Sequence, residues 1–180
     1  KILKSIMPLT ENDVMESISI LENTQKLINS DNLTYSNPSL LLSERILNIP
    51  SIFYPNGLGA VAIRFKSSLQ ENAKSHVIIE DVVESCHNAI MAWETPSSLH
   101  PILIQGEDDY YKTKKCWQVL KKYFDENNIK YYNVNSVNGN ILSKSMDLIY
   151  RLDYVAIYKA ISSGIYPSPI KSIDFIKKHI

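Results

Sequence analysis

Apolar residues follow two patterns along the chain, which alternate from one end to the other. Short, mostly apolar runs bounded by turn residues predict strands at residues 49–54, 76–79, 100–104 and 130–134. Longer stretches with apolar positions three or four residues apart predict helices at 11–28, 38–47, 58–73, 109–127, 141–163 and 170–179. Gly164 is well placed to stop the fifth of these helices. The spacing leaves room for a crossover helix or a long loop between successive strands, which favours a parallel sheet covered on both faces.

This order of elements predicts the fold class and the domain organisation. We expect an α/β fold, a three-layer α/β/α domain with a mostly parallel sheet of four or five strands. Residues 1–36 form an amino-terminal helical segment and a connector, and residues 37–180 form the α/β domain. The helix at 11–28 carries an apolar stripe, which would pack either on its own domain or against another subunit.

Composition narrows the classes of function. The chain has 180 residues, of which 44% are hydrophobic, enough for one core. The 19 basic and 19 acidic residues cancel, so neither a nucleic-acid surface nor an anionic membrane is expected as a partner. Cys86 and Cys116 lack Cys-x-x-Cys spacing, which argues against a metal site or a disulfide framework and favours a reducing cytoplasm. No run approaches the length of a membrane span, and a start at Lys1 suggests a piece of a longer protein or a processed product.

Candidate chemistry lies in the third predicted helix and shortly after the second strand. Arg64 and Glu71 share one face of that helix, and His87 follows in a neighbouring segment. A carboxylate and an imidazole suit proton transfer near neutral pH. From the residues alone, a solvated charged face is the favoured interpretation for the helix, and a packed interior histidine is slightly favoured for His87. Glu71 also falls at the helix end that points away from the carboxyl edge of the sheet, so a second domain or subunit would have to complete any site there.

Other chemistries find no support in the motifs. No Gly-x-Ser-x-Gly turn indicates a hydrolase nucleophile. The segment 56–59 contains two glycines but lacks the Lys-Ser/Thr of a P-loop and the spacing of a dinucleotide fingerprint. We interpret it as a tight turn from strand to helix.

A series of ordered landmarks gives the chain a family resemblance. It resembles the carboxy-terminal sugar isomerase (SIS) domain of the bifunctional phosphoglucose/phosphomannose isomerases. The landmarks are the segments 37–39, 49–54, 60–66, 71–74, 87–88, 93–94, 167–170 and 176–177. The chain departs from the family pattern at Gln70, where these enzymes usually carry Asn, and at 84–88, where Glu-Ser-Cys-His-Asn replaces Glu-Leu-Asn-His-Asn.

The resemblance implies an aldose-ketose isomerase acting on glucose 6-phosphate and fructose 6-phosphate, and also on mannose 6-phosphate. It implies that Glu71 is the base that moves a proton between C1 and C2, and that His87 is the ring-opening acid, in a site shared between two subunits. Lys177 matches the carboxy-terminal lysine that faces the substrate oxygens, although Lys178 is adjacent. The positions expected to bind substrate are Arg64, Ser168 and Asn88.

The resemblance also implies partners. It implies no cofactor and no metal, a homodimer, and an amino-terminal SIS domain that carries the serine- and threonine-rich loop for the phosphate. This sequence contains no such loop, so we expect it to be nearly inactive alone. The alternative is a non-catalytic phosphosugar-binding or assembly module, which would not need both Glu71 and His87.

Overall fold

Four parallel strands form a single sheet in the order β2-β1-β3-β4 in the computed structural model, which describes residues 9–180. The strands are β1 Pro50–Tyr54, β2 Ile78–Asp81, β3 His100–Gln105 and β4 Tyr132–Asn135. In register, Ile52 pairs with Ile79 on one side and with Ile102 on the other, and Ile102 pairs with Tyr132. The predicted parallel α/β sheet is therefore confirmed, with four strands.

Seven helices surround this sheet in the described part of the chain. They are α1 Glu11–Ile28, α2 Pro38–Arg45, α3 Gly59–Asn72, α4 Val82–Ser85, α5 Tyr111–Glu126, α6 Ile141–Ser162 and α7 Lys171–Lys177. Two 3-10 segments lie at Asn56–Leu58 and Ala89–Glu94. Gly164, at φ +64°, follows the end of α6 as the sequence predicted.

The centres of β1 and β3 are apolar because both faces of the sheet are covered there. Side chains alternate between the faces, so Ile52 and Ile102 join one buried cluster while Phe53 and Leu103 join another. The first cluster receives side chains from α2, α3 and α6. The second receives them from α4, α5 and the 3-10 segment at 89–94. This is the three-layer α/β/α arrangement.

Helix α1 packs on α6 through polar side chains. Ser17 hydrogen-bonds Ser143 at 3.0 Å, Thr24 donates to the buried carboxylate of Asp147 at 2.7 Å, and the Tyr158 hydroxyl donates to the Ile28 carbonyl at 2.7 Å. Asp147 also accepts two bonds from the Arg151 guanidinium. We call this set of bonds the α1–α6 seam.

Part of the apolar stripe of α1 consequently faces outward. Val14 and Ile18 remain 43% and 45% exposed, whereas Ile28 is fully buried. Of the two packing partners expected for this stripe, its own domain covers only part of it, because the helix uses its small polar side chains to approach α6. The exposed part of the stripe remains available to another chain.

The largest differences from the sequence prediction concern the segment from β2 to the 3-10 turn. Strand β2 begins at Ile78, two residues later than predicted, because its register is set by pairing with β1. Its last residue, Asp81, also caps α4 by accepting bonds from the backbone amides of Val83 and Glu84. A helix of one turn is too short to show a period, so α4 was not predicted.

The carboxy-terminal segment is the most exposed part of the fold. Helix α7 has no buried residue, and Phe175 is 64% exposed. The described residues contain no helix with the length and apolar character that crossing a bilayer requires.

Candidate functional site

Glu71 lies in the last turn of α3, at the amino edge of the sheet. Helix α3 starts beyond the carboxyl end of β1 and returns antiparallel to the strands, because the next strand, β2, is parallel to β1. Its 14 residues at a rise of about 1.5 Å each cover the height of the sheet. The Glu71 side chain is exposed there. Its position, at the helix end that points away from the carboxyl edge of the sheet, is the one predicted from the sequence.

Lys74 joins the end of α3 to the carboxy-terminal segment. Its backbone is left-handed, at φ +52°, which turns the chain out of the helix. Its ammonium group donates to the Glu71 carbonyl at 2.8 Å and to the Pro167 carbonyl at 3.1 Å. The segment that carries Ser168 is thereby held beside the base candidate, and we call this contact the Lys74 clasp.

Arg64 is held by an ion pair on the same helix face. Its guanidinium binds both carboxylate oxygens of Asp153 on α6, with Nη2 to Oδ2 at 2.8 Å and Nε to Oδ1 at 3.1 Å. The hydrogen bond and charge of Asp153, with a smaller contribution from Glu71, raise the pKa of Arg64. The arginine is thus fixed in position and remains positively charged.

His87 and Asn88 lie in the turn between α4 and the 3-10 segment. The His87 amide donates to the Glu84 carbonyl at 2.9 Å, and its side chain is exposed. The Asn88 side chain caps the 3-10 segment by accepting from the amide of Ala89. Trp93, in that 3-10 segment, anchors it by packing edge-on against Phe124 of α5, with ring centroids 5.3 Å apart.

Ser168 and Lys177 belong to the exposed carboxy-terminal segment. Ser168 directly follows Pro167, the residue held by the Lys74 clasp. Lys177 is the last residue of α7 and is exposed, as is Lys178. The clasp is a direct tie between this segment and α3.

The candidate residues fall into two groups within one chain. Glu71 and Ser168 lie at the amino edge of the sheet. Helix α3, which carries Glu71, packs on the first cluster. His87 follows the carboxyl end of β2, and α4 packs on the second cluster beside α5. Opposite faces and opposite edges therefore separate the carboxylate from the imidazole, so one chain does not bring the proposed base and acid together.

Two contributors to this geometry were missed in the sequence. Lys74 ends the landmark segment 71–74, and its position just after the end of a helix was the signal for a capping role. Asp153 gave no signal, because its pairing with Arg64 spans 89 residues. Within residues 9–180, no three His, Cys, Asp or Glu side chains are grouped as a metal site would require.

Comparison with known proteins identifies the family. Residues 36–180 match the family described as the bacterial phospho-glucose isomerase C-terminal SIS domain. The chain belongs to this family. Curated relatives agree: a bifunctional phosphoglucose/phosphomannose isomerase of Aquifex aeolicus is 26% identical over 143 residues, 77% of this chain and 45% of that protein. One of the same name from Caldicellulosiruptor bescii is 23% identical over 94% of this chain and 52% of that protein.

The fold is shared with solved structures. A glucose-6-phosphate isomerase like protein from Thermus thermophilus superposes with a TM-score of 0.73 at 17% identity, over 93% of this chain and 56% of that one. The present chain spans about half the length of the curated relatives it matches. It corresponds to the carboxy-terminal SIS domain of larger proteins.

Proposed function

We propose that this chain is the carboxy-terminal half of an isomerase that interconverts glucose 6-phosphate and fructose 6-phosphate, and also accepts mannose 6-phosphate. The observation that carries the proposal is the match to the isomerase family, combined with the position of Glu71 beside the Lys74 clasp. The clasp links the base candidate to the segment that leads to Lys177. No cofactor enters the proposed reaction.

The proposed chemistry is a proton transfer between adjacent carbons. His87 protonates the ring oxygen and opens the sugar. The Glu71 carboxylate removes the proton from C2 of the aldose and returns it to C1, through a cis-enediol. Lys177 offsets the negative charge that develops on the enediol oxygens, and Arg64, Ser168 and Asn88 bind the substrate.

We further propose that the site is completed by other parts of the assembly. A second copy supplies His87 to the Glu71 of its neighbour, since the two residues lie apart in one chain. The exposed apolar surface of α1 and α6, which includes Ile18, Leu21, Met146 and Ile149, is the candidate contact in a homodimer that buries more than ~1,000 Å². An amino-terminal SIS domain supplies the phosphate loop, and two free cysteines fit a cytoplasmic location.

The first test uses the protein together with its amino-terminal SIS domain. We expect Glu71→Gln to lower exchange of the C2 proton with solvent by ~10²-fold or more, while substrate binding is nearly retained. The measurement is proton exchange in heavy water followed by NMR, with binding followed by calorimetry. Glu44→Gln, which alters an exposed carboxylate near the end of α2, is the matched control. Normal exchange in a folded, substrate-binding Glu71→Gln protein would favour the binding-module alternative.

A second test asks whether two copies share the site. Glu71→Gln and His87→Ala subunits are each expected to be weakly active on the closed-ring sugar. Subunits mixed in equal amounts and allowed to exchange should recover about a quarter of the normal turnover, because half of the dimers then contain one intact composite site. No recovery despite demonstrated subunit exchange would show that Glu71 and His87 do not act across a dimer.

A further inference from the structure

A cavity of about 190 Å³ lies at the open edge of the sheet, between α2, strand β4 and α6. One wall is apolar and includes Leu42 of α2, Val134 of β4 and Val155 of α6, which all belong to the first cluster. An apolar cavity of about 150 Å³ is enough to hold benzene, so this one has room for an organic group the size of a six-membered ring. Glu71, His87 and Lys177 do not line it.

Arg45, the last residue of α2, supplies one cation to this cavity. Its guanidinium carbon lies 5.3 Å from the centroid of the Tyr132 ring, which is a cation–π contact. Stacking on a ring leaves the N–H groups in the guanidinium plane available for hydrogen bonds. Within residues 9–180, no carboxylate forms an ion pair with Arg45. The ring thus holds this cation in place while its donors stay unused.

Arg151 of α6 supplies the second cation, and three hydrogen bonds fix its guanidinium. Nε and Nη2 donate to the Asp147 carboxylate at 2.9 and 2.7 Å, and Nη2 also donates to the Asn135 carbonyl at 2.8 Å. An arginine has five N–H donors, and Nη1 has no hydrogen-bond partner in the described part of the chain. Because no fully buried side-chain nitrogen lacks a partner there, Nη1 reaches an accessible surface.

The backbone of β4 adds further donors, because β4 is an edge strand. Successive residues of a strand direct their N–H and C=O groups to opposite sides. The Ser136 amide donates to the Gln105 carbonyl of β3 at 2.8 Å, so the main-chain groups of Asn133 and Asn135 point away from β3. The bond from Arg151 to the Asn135 carbonyl agrees with this direction. Asn133 and Asn135 both line the cavity.

We propose that this cavity binds a small organic anion, in which a carboxylate or phosphate group is attached to an apolar body of about six carbons. The anionic group accepts hydrogen bonds from Arg45 and from Nη1 of Arg151, since the planar donor pairs of a guanidinium match a carboxylate or a phosphate. The apolar body packs on Leu42, Val134 and Val155. Only Arg151 already has a carboxylate partner, so the cavity carries a positive charge that an anion can neutralise.

The apolar wall distinguishes this ligand from the proposed substrate. A hexose phosphate carries hydroxyl groups on nearly every carbon, and burying them against Leu42 and Val155 without hydrogen-bond partners is unfavourable. The cavity is therefore a second site, separate from the one proposed for isomerisation. Its test needs no activity assay, so its outcome does not depend on the proposed function.

The test is an NMR titration of the full chain with benzoate and with phenyl phosphate. We expect a saturable shift of the Asn133 and Asn135 amide signals, and the tighter of the two probes identifies the preferred anionic group. Benzyl alcohol has a similar body without the charge, and inorganic phosphate has the charge without the body. Each should bind at least ~10-fold more weakly than the tighter probe. The proposal is wrong if benzyl alcohol binds equally well, or if neither anion gives a saturable shift at these amides.

Variants of Arg45 test the cation directly, because Arg151 also holds Asp147 in the α1–α6 seam. Arg45→Gln should raise the dissociation constant of the tighter probe by ~10-fold or more, and Arg45→Lys, which keeps the charge but loses the planar donor pair, should fall between. Lys112→Gln removes an exposed cation of α5 outside the cavity and should leave the constant unchanged. Normal affinity in an Arg45→Gln protein that circular dichroism shows to be folded would overturn the proposal.

Discussion

Helices α1 and α7 both expose apolar side chains, but they are attached to the domain in different ways. Helix α1 is fixed to α6 by the α1–α6 seam, in which Asp147 is only 1% exposed. Helix α7 has no buried residue, and the segment before it is tied to α3 through the Lys74 clasp. The apolar surface of α1 is thus part of a fixed platform. We expect the position of α7, and of Lys177 with it, to be set by contacts with another chain or domain.

The largest expected effect comes from breaking the α1–α6 seam. Asp147→Ala removes the acceptor of Thr24 and leaves the Arg151 guanidinium without its carboxylate. We expect the free energy of unfolding to fall by about 3–5 kcal/mol, because an uncompensated charge remains in a largely buried place. Urea denaturation followed by circular dichroism measures this. Glu126→Ala, which removes the exposed i,i+4 pair with Lys122, should leave the midpoint unchanged. Equal losses in the two variants would contradict a structural role for the seam.

The second prediction concerns α7. Deleting residues 171–180 should change the free energy of unfolding by less than about 0.5 kcal/mol, since no residue of the helix is buried. In the chain joined to the amino-terminal SIS domain proposed for it, the same deletion and Lys177→Met should each lower turnover by ~10²-fold. Lys178→Met is the matched control and should keep normal turnover. A large loss of stability on deletion would show that α7 is fixed to the domain as α1 is. Equal losses of turnover in Lys177→Met and Lys178→Met would contradict a specific role for Lys177.

The third prediction concerns the exposed apolar surface of α1. Ile18→Glu places a charge in the proposed dimer contact, and we expect the dimer dissociation constant to rise by ~10-fold or more. Leu27, 50% exposed, lies nine residues further on and therefore on the opposite side of the helix. Leu27→Glu should leave association unchanged. Sedimentation velocity over a range of concentrations distinguishes the two variants. If Ile18→Glu associates normally, α1 does not lie in the interface.

The smallest expected effect comes from the pH dependence of a solvent-exposed bond beside the α1–α6 seam. The Glu16 carboxylate accepts from the Asn140 amide at 2.8 Å, and that backbone bond lowers the pKa of Glu16. A lowered folded-state pKa means that this stabilisation is present above the unfolded-state pKa and is lost as the pH falls through the folded-state pKa. We expect the normal protein to lose slightly more stability than Glu16→Gln over that acidic range, in urea titrations at stepwise pH. The stability of the control variant Glu22→Gln, on the same helix, should change with pH as that of the normal protein does.

The fold was largely predictable because its strongest signals are local. Buried parallel strands require apolar side chains on both faces, so β1 and β3 appear as short, mostly apolar runs. The edge strand β2 was misplaced by two residues because only pairing with β1 defines its ends. The orientation of α1 was harder to predict, since Ser17 and Thr24 become buried only through partners on α6.

The candidate site was predictable only as a set of residues. The sequence indicated Glu71 and His87, and it also indicated that Glu71 lies at the edge away from the carboxyl ends of the strands. It did not reveal the Lys74 clasp or the Arg64–Asp153 pair, because both join segments about 90 residues apart, with no local pattern. The roles assigned to the site residues remain predictions.

The α1–α6 seam also bears on how the chain acquires its structure during synthesis. The Ser17–Ser143 bond joins residues 126 positions apart. At about 5–20 residues per second, a ribosome needs roughly 6–25 s to make the chain between them. During that interval α1 is already synthesised but α6 is not, so the apolar stripe of α1 is exposed to other molecules. Chaperones, or a neighbouring nascent copy of the chain, can therefore contact α1 before α6 packs on it.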